Sequence, residues 1–172
     1  IHISKPAHIV NQVCGSGLRA VISGYQSIKL GEVKNVISGG QENMSLAPHS
    51  IFYRDNKKIS EKHLVDTMIN DGLVDAFNNY HMGVTAENVA KKFNISRVHQ
   101  DEFALNSQKK TETAINNNRF KEELIKINQS GINLNMDEHP RKNLIKSDLE
   151  KLKAVFLKDG TVTPGKSSGI ND

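Results

Sequence analysis

The sequence predicts an α/β fold, and three stretches near its start predict it. Pro6 to Val13 is a β-branched run, with Ile9, Val10 and Val13 set among small polar residues. From Ser16 the apolar spacing becomes helical, with Leu18, Val21, Ile22, Tyr25 and Ile28 on one face. Val33 to Ser38 reads as a second short buried strand, closed by Gly39 and Gly40. Strand, turn, helix and strand within the first 40 residues make a βαβ unit, whose two strands are expected to run parallel.

Each element has a local reason. Pro6 stands at a strand start, where its missing N–H does least harm. Gly31 supplies a C′ stop for the first helix. Gln41 to Ser50 is polar and contains a proline, and Ile51 to Ser60 is rich in charge, so both read as loop. Lys62 to Phe77 regains helical spacing through Leu64, Met68 and Leu73. Tyr80 to Thr85 reads as irregular, and Ala86 to Phe93 as a short helix. Ser96 is a natural N-cap for a long helix from Arg97 to about Asn117. That helix is expected to turn Phe103, Ala104, Ser107, Ala114 and Ile115 to one side. Leu124 to Ile127 and Ile132 to Met136 read as a hairpin about Gln129-Ser130-Gly131. Ser147 to Leu152 reads as a short helix, followed by a Gly-, Ser- and Thr-rich tail from Gly160.

Composition narrows the class. The 172 residues suffice for one ordinary domain or slightly more, and 37% hydrophobic with 24% charged residues fits a folded globular chain. Tryptophan is absent and aromatics are 5%, so the core must be mostly aliphatic. No apolar run approaches membrane-spanning length, and no signal peptide is evident. A single cysteine forms no internal disulfide, which points to a reducing, cytoplasmic setting. The charge of +4 comes from scattered lysines, which read as solvated surface or as affinity for a phosphorylated ligand. No basic stripe is interleaved with aromatics, which argues against nucleic acid as a partner.

Cys14 is the residue with chemistry. It lies at the predicted strand-to-helix turn, where α/β folds bind ligands. Unpaired N–H groups and partial positive charge at a helix N-terminus favour a thiolate. Gly15 and Gly17 leave room for a substrate carbonyl beside backbone amides, as an oxyanion hole requires. The competing reading is a small buried hydrophobe, a common fate of free cysteine. None of the seven histidines has a spacing that marks it as the partner base, and no metal-binding pattern is present.

Several motifs in order resemble the thiolases. Asn11-Gln-Val-Cys-Gly-Ser-Gly-Leu-Arg-Ala20 is similar to the family's acyl-cysteine motif, and Ser38 to Ser45 with Ala47-Pro48-His49 to its second signature. Asp71 to Phe77 and Tyr80 to Ala90 resemble the loop domain over the active site, Arg97 with Gln100 to Ala104 its long helix, and Lys158 to Asp172 the segment returning to the core. The His81-Met82-Gly83 version is more like the acetoacetyl-CoA members than the long-chain ones. The resemblance implies a partial αβα layered thiolase fold with an inserted α+β loop domain. Residues 1–45 would belong to the core, 46–160 to the loop domain and 161–172 to the return. The N-terminal strands and the C-terminal domain are not among these residues.

The resemblance also implies roles. Cys14 would carry the acyl group as a thioester, and its own N–H would help form the oxyanion hole. His81, Met82 and Leu73 would line the acyl and pantetheine pocket. Arg141 would lie near the nucleotide end of coenzyme A, and Val155, Phe156, Pro164, Ser168 and Ile170 along the pantetheine arm. No permanently bound cofactor is implied; coenzyme A thioesters are the substrates, acetyl-CoA and acetoacetyl-CoA. Ser50 to Lys62 matches a loop that joins subunits in tetrameric members, so a homotetramer is implied for the full-length protein. The family's activating histidine and second cysteine have no counterpart here. Pro164-Gly165-Lys166-Ser167 stands where the family usually has Ala-Gly-Asn-Ala, so Lys166 would bring a charge near the pantetheine. Two other readings stay open: a thiolase of longer-chain specificity, and a non-catalytic remnant.

Overall fold

The computed structural model describes residues 2–53 and 64–172. They form two compact units, Ile1–Met68 together with Asp172, and Ile69–Asn171.

In the first unit the main element is α1, Ser16–Lys29. It ends as its sequence dictates. Gly31 takes φ +75°, its N–H donates to Ile28 O at 3.0 Å, and Glu32 N–H donates to Ser27 O at 3.1 Å. That pair of bonds is a Schellman closure, and only glycine adopts its left-handed residue at no steric cost. The apolar face of α1 is present but uncovered by the described residues: Leu18, Val21, Tyr25 and Ile28 are all exposed. The expected flanking strands do not form. Pro6 to Val13 and Val33 to Ser38 are irregular, because a strand exists only through its ladder and neither segment has a ladder partner among the described residues. The second segment still packs on α1, where Ser38 Oγ donates to Ala20 O at 3.1 Å. A Cβ at Gly24 would lie 2.7 Å from Ser38 Oγ and 2.9 Å from Val36 Cγ1. Gly24→Ala is therefore expected to lower stability by about 1–3 kcal/mol, read from the urea midpoint of the chain; an unchanged midpoint would mean the contact gives way freely.

Beyond Gly40 the chain forms a short 3₁₀ turn at Met44–Leu46 and two two-residue strands, β1 at His49–Ser50 and β2 at Val65–Asp66, paired antiparallel. The helix expected over Lys62 to Phe77 is replaced by β2 and a π-helical turn, Met68–Leu73. Gly72 is a poor helix former and sits inside that turn. The subunit-joining loop expected at Ser50 to Lys62 lies mostly outside the described residues.

The second unit is built around α2, Met82–Lys92, and α3, Arg97–Asn116. Ser96 caps α3 as expected, its Oγ accepting from His99 N–H at 3.2 Å. Helix α2 starts earlier than the apolar spacing suggests, because His81 caps it; the segment expected to be irregular is its first turn. Of the residues expected on the inner side of α3, Ala104 is buried but Phe103 is 79% exposed. The inner side is instead Asp101, Ala104 and Leu105, the spacing of one helix face. Ala104 and Leu105 pack with Leu149 of α4, Lys146–Glu150, and with Leu144 and Leu152. The hairpin forms about the expected turn, but its first strand, β3, is Ile127–Gln129 rather than Leu124 to Ile127, and pairs with β4, Ile132–Leu134. Ser130 and Gly131 both have positive φ, the type I′ turn that matches strand twist. Among the described residues no helix is long and apolar enough to cross a membrane.

Candidate active site

Cys14 is presented by a strained turn. It directly precedes Gly15, the N-cap of α1, and is exposed; the buried-hydrophobe reading does not describe it. Val13 has φ +49°, a left-handed conformation that a β-branched residue rarely accepts and that costs about 1–3 kcal/mol. Hydrogen bonds impose it. Val13 N–H donates to Asn11 Oδ1 at 3.0 Å. Ser16 Oγ donates to Val13 O at 2.6 Å and accepts from Gln12 N–H at 2.8 Å. Gly15 N–H donates to Gln12 O at 2.9 Å. Ser16 thus locks the turn that ends at the thiol. A Cβ at Gly17 would meet nothing within 4 Å, so the space at the helix head is open. Positive φ at Val13 could not be read from the sequence; the Asn11 and Ser16 side chains that enforce it could only be suspected as turn formers.

The second unit holds the other predicted site residues. Leu73 closes the π-helical turn and is half-buried. A tight loop follows, with Val74 bridged to His81 and Asp75 N–H donating to Tyr80 O at 2.9 Å. Asp75 stiffens it by accepting from the Asn78 side chain and from Phe77 N–H, and these bonds hold its carboxyl below the usual carboxylate range. The loop delivers His81 in an extended conformation to cap α2, its Nδ1 accepting from Gly83 N–H at 2.9 Å. Accepting there assigns the neutral ring's proton to Nε2, which is left as the donor.

The His81 ring stacks on Phe156, centroids 4.9 Å apart and planes 19° apart. Two residues far apart in sequence and both predicted for the same pocket are thereby brought together. Gly83 makes the stack possible: a Cβ there would lie 2.2 Å from the Phe156 ring. Gly83→Ala is expected to expel the ring and cost about 2–3 kcal/mol, measured by urea unfolding with near-UV circular dichroism; retention of the wild-type midpoint would refute the packing. Met82 is 40% and Val155 57% exposed, and Val155 N–H donates to Val162 O at 3.1 Å.

Glu87, overlooked from the sequence, organises the tail. It is 6% exposed. Its carboxylate accepts from Thr161 N–H at 2.8 Å, Thr161 Oγ1 at 3.0 Å and Val162 N–H at 2.7 Å. Burial pushes its pKa up, but the Val162 and Thr161 donors outweigh this and hold it below its ordinary value of 4.5. A Glu at the sixth position of α2 gave no sign of this.

Pro164 opens a short 3₁₀ turn, Pro164–Lys166, at a position where its missing N–H costs nothing. The charge expected from Lys166 beside the pantetheine is not free: the ammonium is 2.7 Å from Asp101 Oδ1, with its side chain 9% exposed. Burial lowers the Lys166 pKa while Asp101 opposes that shift. Arg141 lies on an exposed segment, its N–H donating to Gln108 Oε1 at 2.9 Å. Ser168 and Ile170 are exposed. Two surface grooves of about 470 and 540 Å³ are lined by other residues and include none of the predicted site.

The chain is thus a mixed helix-and-strand fold with one exposed thiol directly before the N-cap of α1. The chain is a member of the thiolase family, matching the Thiolase, N-terminal domain over residues 1–172. It is 47% identical to an acetyl-CoA acetyltransferase of Rhizobium meliloti (strain 1021), over 98% of this chain and 44% of that protein. It is 46% identical to a probable acetyl-CoA acyltransferase of Staphylococcus aureus (strain COL), over 97% of this chain and 44% of that protein. A crystal structure of the Bacillus anthracis acetyl-CoA acetyltransferase superposes with a TM-score of 0.84 at 33% identity, covering 93% of this chain and 42% of that one. The fold is thus a partial thiolase fold. The chain spans less than half the length of these relatives.

Proposed function

We propose that this chain supplies the acyl-accepting cysteine of an acetyl-CoA acetyltransferase. The protein containing it would condense two acetyl-CoA molecules to acetoacetyl-CoA and run the reverse thiolysis. The observation that carries this is Cys14, exposed on a strained turn at the head of α1, in a chain that matches the thiolase family along its whole length. Cys14 Sγ attacks the thioester carbonyl carbon; the C–S bond to coenzyme A breaks, coenzyme A leaves as the thiol, and a thioester to Cys14 remains. Backbone N–H groups at the helix head, that of Cys14 included, receive the developing negative charge on the carbonyl oxygen.

His81, Met82, Leu73 and Phe156 would contact the acyl and pantetheine portions, with His81 Nε2–H as the donor. Val155, Pro164, Ser168 and Ile170 would follow the arm, and Arg141 the nucleotide. Residues 1–45 would belong to the core, 46–160 to the loop domain and 161–172 to the return. A cytoplasmic homotetramer using no permanently bound cofactor completes the reading.

The relative rates of coenzyme A-dependent cleavage of acetoacetyl-CoA and of a long-chain 3-ketoacyl-CoA, measured on the full-length gene product, test the substrate class. Faster cleavage of the long-chain substrate overturns it. The 172-residue chain alone is expected to show no condensation turnover, since Cys14 is its only cysteine and the family's α-proton transfer uses a second one. Turnover that disappears in Cys14→Ala would show that the reaction runs with Cys14 as its only thiol and would overturn that expectation.

A further inference from the structure

We propose that Lys166 is a positioning residue, which fixes the Thr163–Ser168 segment for coenzyme A through a buried ion pair with Asp101. The inference rests on the reading that Pro164 and Ser168 contact the pantetheine arm. Asp101 is 2% exposed and lies in the first turns of α3. One of its oxygens meets Arg97 Nε at 2.7 Å and the other lies 2.7 Å from Lys166 Nζ. The Lys166 contact falls outside hydrogen-bond alignment, yet at this separation in a dry site the Coulombic attraction is large whatever the angle.

Arg97 extends the cluster: its Nη2 donates to Leu149 O at 2.7 Å and to Leu152 O at 3.0 Å. Asp101 therefore sits between one cation that holds α4 and its exit and another that belongs to the 3₁₀ turn. The turn has little freedom. Thr163 is fully buried, Ser167 Oγ donates to Thr163 O at 2.9 Å, and a Cβ at Gly165 would lie 2.5 Å from Leu149 and 2.8 Å from Leu152. Packing presses the turn against α4, and the Lys166 ammonium ties it to α3. The two flanking residues that point outward, Pro164 and Ser168, are exposed and assigned to the arm.

A buried cation persists where its partner is fixed, and removing one member of such a pair costs more than removing both. In Lys166→Met, Asp101 keeps Arg97, so the unit remains folded while the turn loses its tether.

The experiment is a double-mutant cycle in the full-length gene product with Lys166→Met, Asp101→Asn and their combination, read by calorimetric titration with coenzyme A. Far-UV circular dichroism checks folding. Lys166→Met is expected to weaken coenzyme A binding by about tenfold, with the rate of Cys14 alkylation by iodoacetamide unchanged. Asp101→Asn and the double variant are expected to lose about as much as Lys166→Met, since each breaks the same tether. Wild-type affinity in Asp101→Asn, with the loss confined to the variants lacking Lys166, would mean that the ammonium meets the ligand directly, and it overturns positioning. Unchanged affinity in Lys166→Met also overturns it. Failure of the wild-type chain to bind coenzyme A at all strikes the underlying reading instead. Should Lys166→Met not fold, Lys166→Gln replaces it in the cycle. In the wild-type chain, amide exchange at residues 163–168 then gives a second readout. Protection there no greater than at Gly169 to Asn171 would sink the proposal.

Discussion

Cys14→Ala is expected to abolish covalent acetylation of the protein by acetyl-CoA. The acetyl adduct, seen by intact mass and released by neutral hydroxylamine, should fall by at least about a thousandfold, because the nucleophile itself is gone. The physical basis is local. Cys14 precedes the N-cap of α1, so its side chain contributes nothing to the helix hydrogen bonds, and the turn around it is held by Asn11, Gln12, Val13 and Ser16. The variant should therefore keep the wild-type far-UV spectrum. Hydroxylamine-labile acetylation that survives in Cys14→Ala would show that another group accepts the acyl chain. Ser16→Ala is a useful companion. It removes the bonds to Gln12 N–H and Val13 O and should relax the left-handed Val13, lowering the acetylation rate without deleting the thiol.

Glu87→Gln is expected to cost about 3 kcal/mol of stability, because a buried carboxylate there accepts from two backbone N–H groups and a hydroxyl. The amide has one acceptor oxygen instead of two, and its NH₂ faces donors. A Cβ at Gly160 would lie 2.3 Å from Glu87 Oε1, so the tail has no slack to rearrange around a longer contact. Urea unfolding at neutral pH reads the effect, and an unchanged midpoint would sink it.

The same carboxylate sets a pH dependence. Its folded pKa lies below its ordinary value of 4.5, so the unfolded chain binds the proton more readily. Its contribution is fully present above about pH 4.5 and is lost as the pH falls through the folded value. Asp101 behaves alike relative to 3.8: burial raises its pKa, but Lys166 and Arg97 outweigh that. Wild-type stability should thus fall steeply with acid below about pH 4.5, and Glu87→Gln should show a shallower slope across that window. Parallel slopes would show that Glu87 is not the group responsible.

The local elements were legible where one short-range rule governs them. Gly31 stops α1 because only a left-handed residue closes a Schellman motif, Ser96 starts α3 because its hydroxyl reaches His99 N–H, and Ser130-Gly131 turns the hairpin. Errors arose where pairing or burial decides. Pro6 to Val13 has strand composition, but composition supplies no ladder partner. Phe103 is expected on one side of α3 with Ala104, yet the inner face is chosen by the Asp101 cluster and by Leu149. His81 looked like part of a loop because a histidine cap is weaker in sequence than a serine or aspartate cap.

The sequence by itself determined the family, through motifs whose residues must stand in fixed order, and with it Cys14 as the residue to test. It also determined the ends of α1 and α3, since caps and left-handed glycines act within a few residues. Only the tertiary structure decided that Val13 is strained, that His81 stacks on Phe156, and that Glu87 and Asp101 hold the tail from inside. The His81, Glu87 and Asp101 contacts join residues tens of positions apart, and their energies depend on burial, which no local pattern reports. Lys166 shows the difference: in the sequence it was an intruding charge, and in the fold it is a buried cation already matched by Asp101.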